Sequence, residues 1–184
     1  MKRLLAGVGV LTAAAAVAVV AVLLLPRGGG PLDKGGNAFG NPVQAGRPFT
    51  ASYGLRNNGD RSIEVKTVAL GDHSPGLRLL GARVQTSGDW HGGAWPGFPV
   101  ERTTSVPAES YVLGPHKHTV LQVGLQADRL GKYRLKGVEV EYRVPFVSRL
   151  HRHFTRTVTT LIAVCAQRRP VRARTRLCDP PSIG

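Results

Sequence analysis

The chain has 184 residues, and its 25 Lys plus Arg against 11 Asp plus Glu give a formal net charge of +14. Setting aside an N-terminal apolar run, about 155 residues remain, which suits one folded domain rather than several. A positive field of this size attracts polyanions, whether nucleic acid, acidic wall polymer or anionic lipid headgroups, and does not choose among them.

MKRLLAGVGVLTAAAAVAVVAVLLLPRGGG opens with Lys2 and Arg3, then runs uncharged and apolar from Leu4 to Leu25 before Pro26 and Arg27. At about 1.5 Å per helical residue the run reaches roughly 33 Å, enough to cross a hydrocarbon core. A cleavable signal has a shorter apolar core followed by a small-x-small site. The one such site, Ala16-Val17-Ala18, would leave Val19 to Leu25 as an apolar stub. Residues 4–25 are therefore expected to be an uncleaved transmembrane signal-anchor helix. Lys2, Arg3 and the amino terminus outweigh Arg27, Asp33 and Lys34, so the positive-inside bias puts residues 1–3 in the cytoplasm and the domain outside the cell membrane. The inverted topology would leave a basic domain in the cytoplasm. No cysteine precedes Cys165, which excludes a lipoprotein.

Residues 26–47 are dense in Gly, Pro and Asn and read as a flexible tether. The folded domain is expected over 48–166. FTASYGLR alternates Phe49, Ala51, Tyr53 and Leu55 against Thr50, Ser52 and Arg56, the period of a half-buried strand. NNGD then turns the chain toward Ile63, Val65, Val68 and Leu70, by a three-residue loop or by a crossover between sheets. GLRLLGARV changes phase at Leu79-Leu80, which a bulge would absorb. TVLQVGLQ alternates Leu121, Val123 and Leu125 against Gln122, Gly124 and Gln126, and GVEVEYRVP is the cleanest strand pattern in the chain. FTRTVTTLIAVCA is long and rich in β-branched residues, and no helical period appears after residue 26. About seven short strands between Gly, Pro and Asn turns predict an all-β, antiparallel β-sandwich.

AGRPFTASYGLRNNGDRSIEVKTVALGD, VLGPHKHTVLQVGL and LGKYRLKGVEVEYRV together resemble the immunoglobulin-like extracytoplasmic modules of bacterial surface and membrane-anchored proteins. The resemblance spans about residues 42 to 165. It implies an immunoglobulin-like fold and a place at the cell envelope more than an activity.

Four features bear on function. His116 and His118 share a face if extended, and with His151 and His153 could form a tetrahedral metal site. Against this, GPHKH begins as a turn, Lys117 and Arg152 interrupt the pairs, and no carboxylate adjoins them, so no metal is assigned. The stretch from Gly88 to Ser110 is long for a loop and holds Trp90, His91, Trp95 and Phe98. It is either a contact surface for a protein, glycan or lipid headgroup, or a lid on the open end of the core. The tail, 167–184, carries Arg168, Arg169, Arg172, Arg174 and Arg176, whose guanidinium forks suit phosphate and carboxylate. No aromatic residues interleave with them, which removes the base-stacking part of a single-stranded nucleic-acid site and leaves a solvated charged tail, or one hugging anionic lipid or wall polymer. Cys165 and Cys178 have 12 residues between them, and an even count in a translocated domain points to a disulfide. Such a loop closure contributes about 3 kcal/mol in the chain-entropy model. Two free thiols are the alternative.

GDHSPG does not match a nucleophile elbow, and no phosphate loop or zinc-protease motif occurs. Glu139 and Glu141 sit on the polar face of a regular strand, as ordinary surface charges. The expectation is a non-catalytic, cofactor-free interaction or structural module, held by a single-pass anchor and meeting an envelope protein or anionic polymer. A metal-binding envelope protein and a polyanion-binding protein are its rivals.

Overall fold

The computed structural model describes residues 27–28, 30–33, 35, 37–88, 93–101, 103–147 and 150–168. The expected anchor, residues 4–25, lies outside them. Among the described residues no helix is long and apolar enough to cross a membrane. Their regular structure is all β: β1 (Arg27–Gly28), β2 (Asn37–Gln44), β3 (Pro48–Arg56), β4 (Ile63–Leu70), β5 (Leu77–Ser87), β6 (Gly93–Pro96) and β7 (Thr104–Pro107). Then come β8 (Val112–Leu113), β9 (His118–Ala127), β10 (Gly131–Leu135), β11 (Val138–Val147), β12 (Leu150–Val158) and β13 (Thr160–Gln167).

Three sheets result, in the orders β1-β12-β11-β4-β8, β10-β13-β2 and β6-β3-β9-β5-β7. Pairing is antiparallel except where β1 lies beside β12 and β2 beside β13. The alternating apolar residues explain the layering. β3 buries Phe49, Ala51, Tyr53 and Leu55, β9 buries Leu121, Val123 and Leu125, and β11 buries Val138, Val140 and Tyr142. These faces meet in one core, with Ile162 and Val164 from β13. Period-two burial of β-branched and aromatic side chains is what a half-buried pleated sheet accommodates. The regular structure is all β and consistent with the sandwich expected from the sequence, but it has thirteen strands among the described residues where about seven were expected, and two pairs are parallel where an antiparallel arrangement was expected; the bulge expected in β5 falls at Leu80.

β10 runs into β11, and β12 into β13, with only Lys136, Gly137 and Thr159 between strands. The four strands are one long hairpin that starts in one sheet and finishes in another. Leu135 pairs Ile162 above the corner and Val138 pairs Val158 below it, so the C-terminal arm holds one extra residue there. Such a bulge bends a ribbon from sheet to sheet. At Gly137, φ is 111° and an added Cβ would lie 2.4 Å from the Val158 carbonyl oxygen, so the corner requires glycine.

Two stretches differ from expectation. The supposed tether, 26–47, supplies β1 and β2, and Leu32 between them is fully buried. Asp33 N donates to Arg56 O at 2.9 Å and Asn58 N to Pro31 O at 2.9 Å, which ties this segment across the end of the sandwich. Among the described residues the fold therefore already includes Arg27, ahead of the expected start at residue 48. Pro42 is tolerated because β2 is an edge strand. The second stretch, 88–110, is not structureless, because β6 and β7 pair with the two flanks of the third sheet, β3 and β5.

Candidate functional site

β6 and β7 are consecutive strands on opposite edges of one sheet, so the chain between them crosses its outer face as a strap. Thr50 Oγ1 donates to Gly97 O at 2.6 Å, and Gln122 Nε2 donates to Thr103 Oγ1 at 2.8 Å. Phe98 lies directly on Gly124, where an added Cβ would meet its ring at 2.4 Å, and near Gly81. The outward-facing Thr50, Ser52 and Gln122 are consequently buried. Of the four aromatic-loop candidates, Phe98 is thus a fastening of the strap on the sheet's outer face, rather than a lid on the core. Trp95, opposite Thr50 on β6, is 38% exposed. Trp90 and His91 lie outside the described residues, between Gly88 and Gly93.

Toward the end where β3 finishes and β9 begins, a cleft of about 1000 Å³ opens. Arg56, Lys117, His116 and His118 supply its cationic and imidazole groups. Gln85, Thr86, Ser87 and Tyr111 supply hydrogen-bonding groups, and Asp33 is a carboxylate in the wall. Gly54 also lines it, and a Cβ added there meets nothing within 4 Å.

Asn57, at the end of β3, organises this region. It is fully buried, and its Nδ2 donates to Arg61 O at 2.8 Å, Gly114 O at 2.9 Å and Leu113 O at 3.2 Å. Its Oδ1 accepts from Gly59 N at 3.0 Å, and its backbone N donates to Lys117 O at 2.9 Å. One asparagine thus clamps the NNGD turn to the GPHK turn, and these are two of the motifs that carried the family resemblance. His116 takes a left-handed φ of 55° in that turn, and its Nε2 lies 2.9 Å from Asp60 Oδ1. GPHK is a turn leading into β9, as expected, but it also forms the cleft wall, which the sequence did not reveal. Arg56, Lys117 and the Gln85–Ser87 stretch were likewise missed, because nothing local distinguishes them from surface residues. A concave site with cationic side chains and several polar groups suits an anionic or acceptor-rich ligand.

The histidine pairs are not brought together. His118 begins β9 of the third sheet and His116 stands in the turn before it, whereas His153 stands on β12 of the first sheet with its Nδ1 4.0 Å from Glu141 Oε1. Among the described residues no group of three or more His, Cys, Asp or Glu is placed to share a metal ion. His151 lies on the same strand, and its side chain is outside the described set.

The basic tail leaves from the far end. Ala45 N donates to Gln167 O and Gly46 N to Ala127 O, so β13 finishes beside the end of β9 remote from the cleft. Ten residues of β9 at about 3.3 Å each put roughly 30 Å between the two ends. Arg168 is exposed there. Cys165 is buried and disulfide-bonded. Arg169, Arg172, Arg174, Arg176 and Cys178 lie outside the described residues.

No family model matches the chain, and no curated protein matches it. Among solved structures it is similar to the ASH / PapD-like domain of human CEP192 (PapD-like domain 7), at 14% identity and a TM-score of 0.36, covering 80% of this chain and 94% of that one. It is also similar to the secreted serine protease VesC from Vibrio cholerae, at 11% identity and a TM-score of 0.25, covering 68% of this chain but 21% of the protease.

Proposed function

We propose that the chain is a non-catalytic, immunoglobulin-like interaction module, held outside the cell membrane by residues 4–25, that receives a partner of the cell envelope in its end cleft. The observation that carries this reading is the cleft itself, a concave site with Arg56, Lys117, His116 and His118 arranged around polar donors on a rigid sheet end. Clefts of this size with a few converging polar groups are where folded domains bind ligands. A Cys165–Cys178 bond would tie the tail to β13, and the arginines of its sequence suit an anionic wall polymer as a separate ligand.

Gly54→Phe tests it, because an added Cβ meets nothing within 4 Å at this cleft-lining position and the ring would take up cleft volume. Crosslinking in intact cells, followed by purification of the full chain, is expected to yield a partner with the wild type and to lose it with Gly54→Phe at an unchanged melting temperature. Equal yield from both proteins would remove the cleft from the interaction.

A further inference from the structure

With residues 4–25 as the anchor proposed above, the direction of β1 points one end of the sandwich at the bilayer. β1 is parallel to β12, with Arg27 opposite Phe154 and Gly28 opposite Thr155. Followed backward, β1 therefore points toward Arg152 and the turn joining β11 to β12. That turn lies at the cleft end, since Arg61 Nη1 donates to Pro145 O at 2.9 Å and Asn57 holds the same loop against Gly114. Only Pro26 separates Arg27 from the apolar run. Two residue steps span at most about 7 Å, comparable to the headgroup layer of one leaflet. With residues 4–25 in the membrane, so short a connection keeps this end near the lipid surface.

The charges there match such a surface. Arg56 and Lys117 stand on the cleft rim, and Arg61 and Arg152 flank the β11–β12 turn. The carboxylates among them are Asp33, in the cleft wall, and Asp60, which His116 engages. β11 and β12 also continue past the last β4 pair, Arg143 with Glu64, as a two-stranded projection closed by Val147 and Leu150.

We propose that the cleft end is a membrane-facing surface that binds anionic phospholipid headgroups, with Arg56 and Lys117 as the principal contacts. This deepens the function proposed above and rests on its membrane anchor. Lipid phosphates lie at a fixed height beside the domain, so modest individual contacts act at high effective concentration.

The test uses the full chain in nanodiscs of phosphatidylcholine alone or of phosphatidylcholine mixed with phosphatidylglycerol, read by hydrogen–deuterium exchange. The expected result is about fivefold or greater slowing of exchange across 57–61 and 114–118 in the anionic discs. It should vanish in Arg56→Glu/Lys117→Glu and in high salt, with both proteins melting alike. Equal exchange in the two discs overturns the proposal and leaves the anchor standing. The same protection produced by soluble inorganic polyphosphate in neutral discs overturns it in favour of a general polyanion site. A chain that does not enter discs at all refutes the anchor, and the orientation with it.

Discussion

Replacing Asn57 with alanine removes one fully buried side chain that joins two loops. Its two amide hydrogens serve three carbonyl oxygens, and its own oxygen accepts from Gly59 N. Three full bonds are therefore at stake, with one hydrogen shared. At about 1 kcal/mol net for each, the loss comes to about 3 kcal/mol. Two of the carbonyls are only partly buried and regain water, which keeps the figure from rising further. For a domain of this size, about 2–4 °C per kcal/mol gives a fall in Tm of about 6–12 °C. Asn57→Asp sharpens the test, because it keeps the acceptor for Gly59 but turns a carboxylate toward carbonyl oxygens. The charged form is disfavoured there, so the carboxyl titrates higher in the folded than in the unfolded chain. Its stability is retained at acid pH and lost as pH rises through the folded value. Thermal melts followed by circular dichroism should rank wild type above Asn57→Ala, with Asn57→Asp at or below Asn57→Ala at neutral pH and recovering below about pH 4. An alanine variant melting within about 1 °C of wild type, or an aspartate variant more stable than it at neutral pH, would refute the clamp.

Three further perturbations probe the rest of the fold. The Tyr53 hydroxyl is buried without a hydrogen-bond partner among the described residues, so Tyr53→Phe should be neutral or stabilising by up to about 1 kcal/mol in urea titrations. Burial also pushes the Tyr53 phenol far above its usual range, so wild-type stability should fall more steeply than the variant's as the unfolded chain ionises above about pH 10. Gly124→Ala and Phe98→Ala should each destabilise by about 1–3 kcal/mol, and the double variant by clearly less than their sum, since both act on one ring-to-glycine contact. An additive cycle would show that the strap is held elsewhere. Hydrogen bonds from Arg143 and then Lys66 hold Glu64 below the ordinary carboxylate range. Its contribution is present above the unfolded pKa near 4.3 and is lost as pH falls through the folded value. Arg143→Ala should therefore cost up to about 1 kcal/mol at pH 7, and the gap to wild type should close below about pH 4 in acid titrations.

The sequence made the strands with strong alternation legible. The stretches around Phe49, Leu121 and Val138 became β3, β9 and β11, because their apolar faces have to be buried whatever the topology. The choice between a hairpin and a crossover at NNGD was not legible, and β3 and β4 lie in different sheets. Gln122 showed the limit of alternation, since a strap from residues 97–103 buries what reads as a solvent-facing position. β2 was missed because its stability comes from β13, more than a hundred residues away, rather than from its own Gly- and Pro-containing pattern. The cleft escaped notice for the same reason. Arg56, Gln85 and Lys117 come from three distant stretches that only the sheet order brings together.

The parallel pairing of the first two strands with the last two has a mechanical consequence. β2 and β13 keep eight residue pairs in unbroken parallel register, with β1 and β12 continuing the same arrangement. Because these strands run side by side in the same direction, their outward-leading ends emerge at opposite ends of the domain. Tension between the start of β1 and the end of β13 slides the strands along each other and loads their hydrogen bonds together, instead of peeling them apart one at a time. A domain pulled between its two ends is therefore built to resist in shear, and single-molecule extension from those ends should require a higher force than pulling across the β11–β12 hairpin, which would unzip.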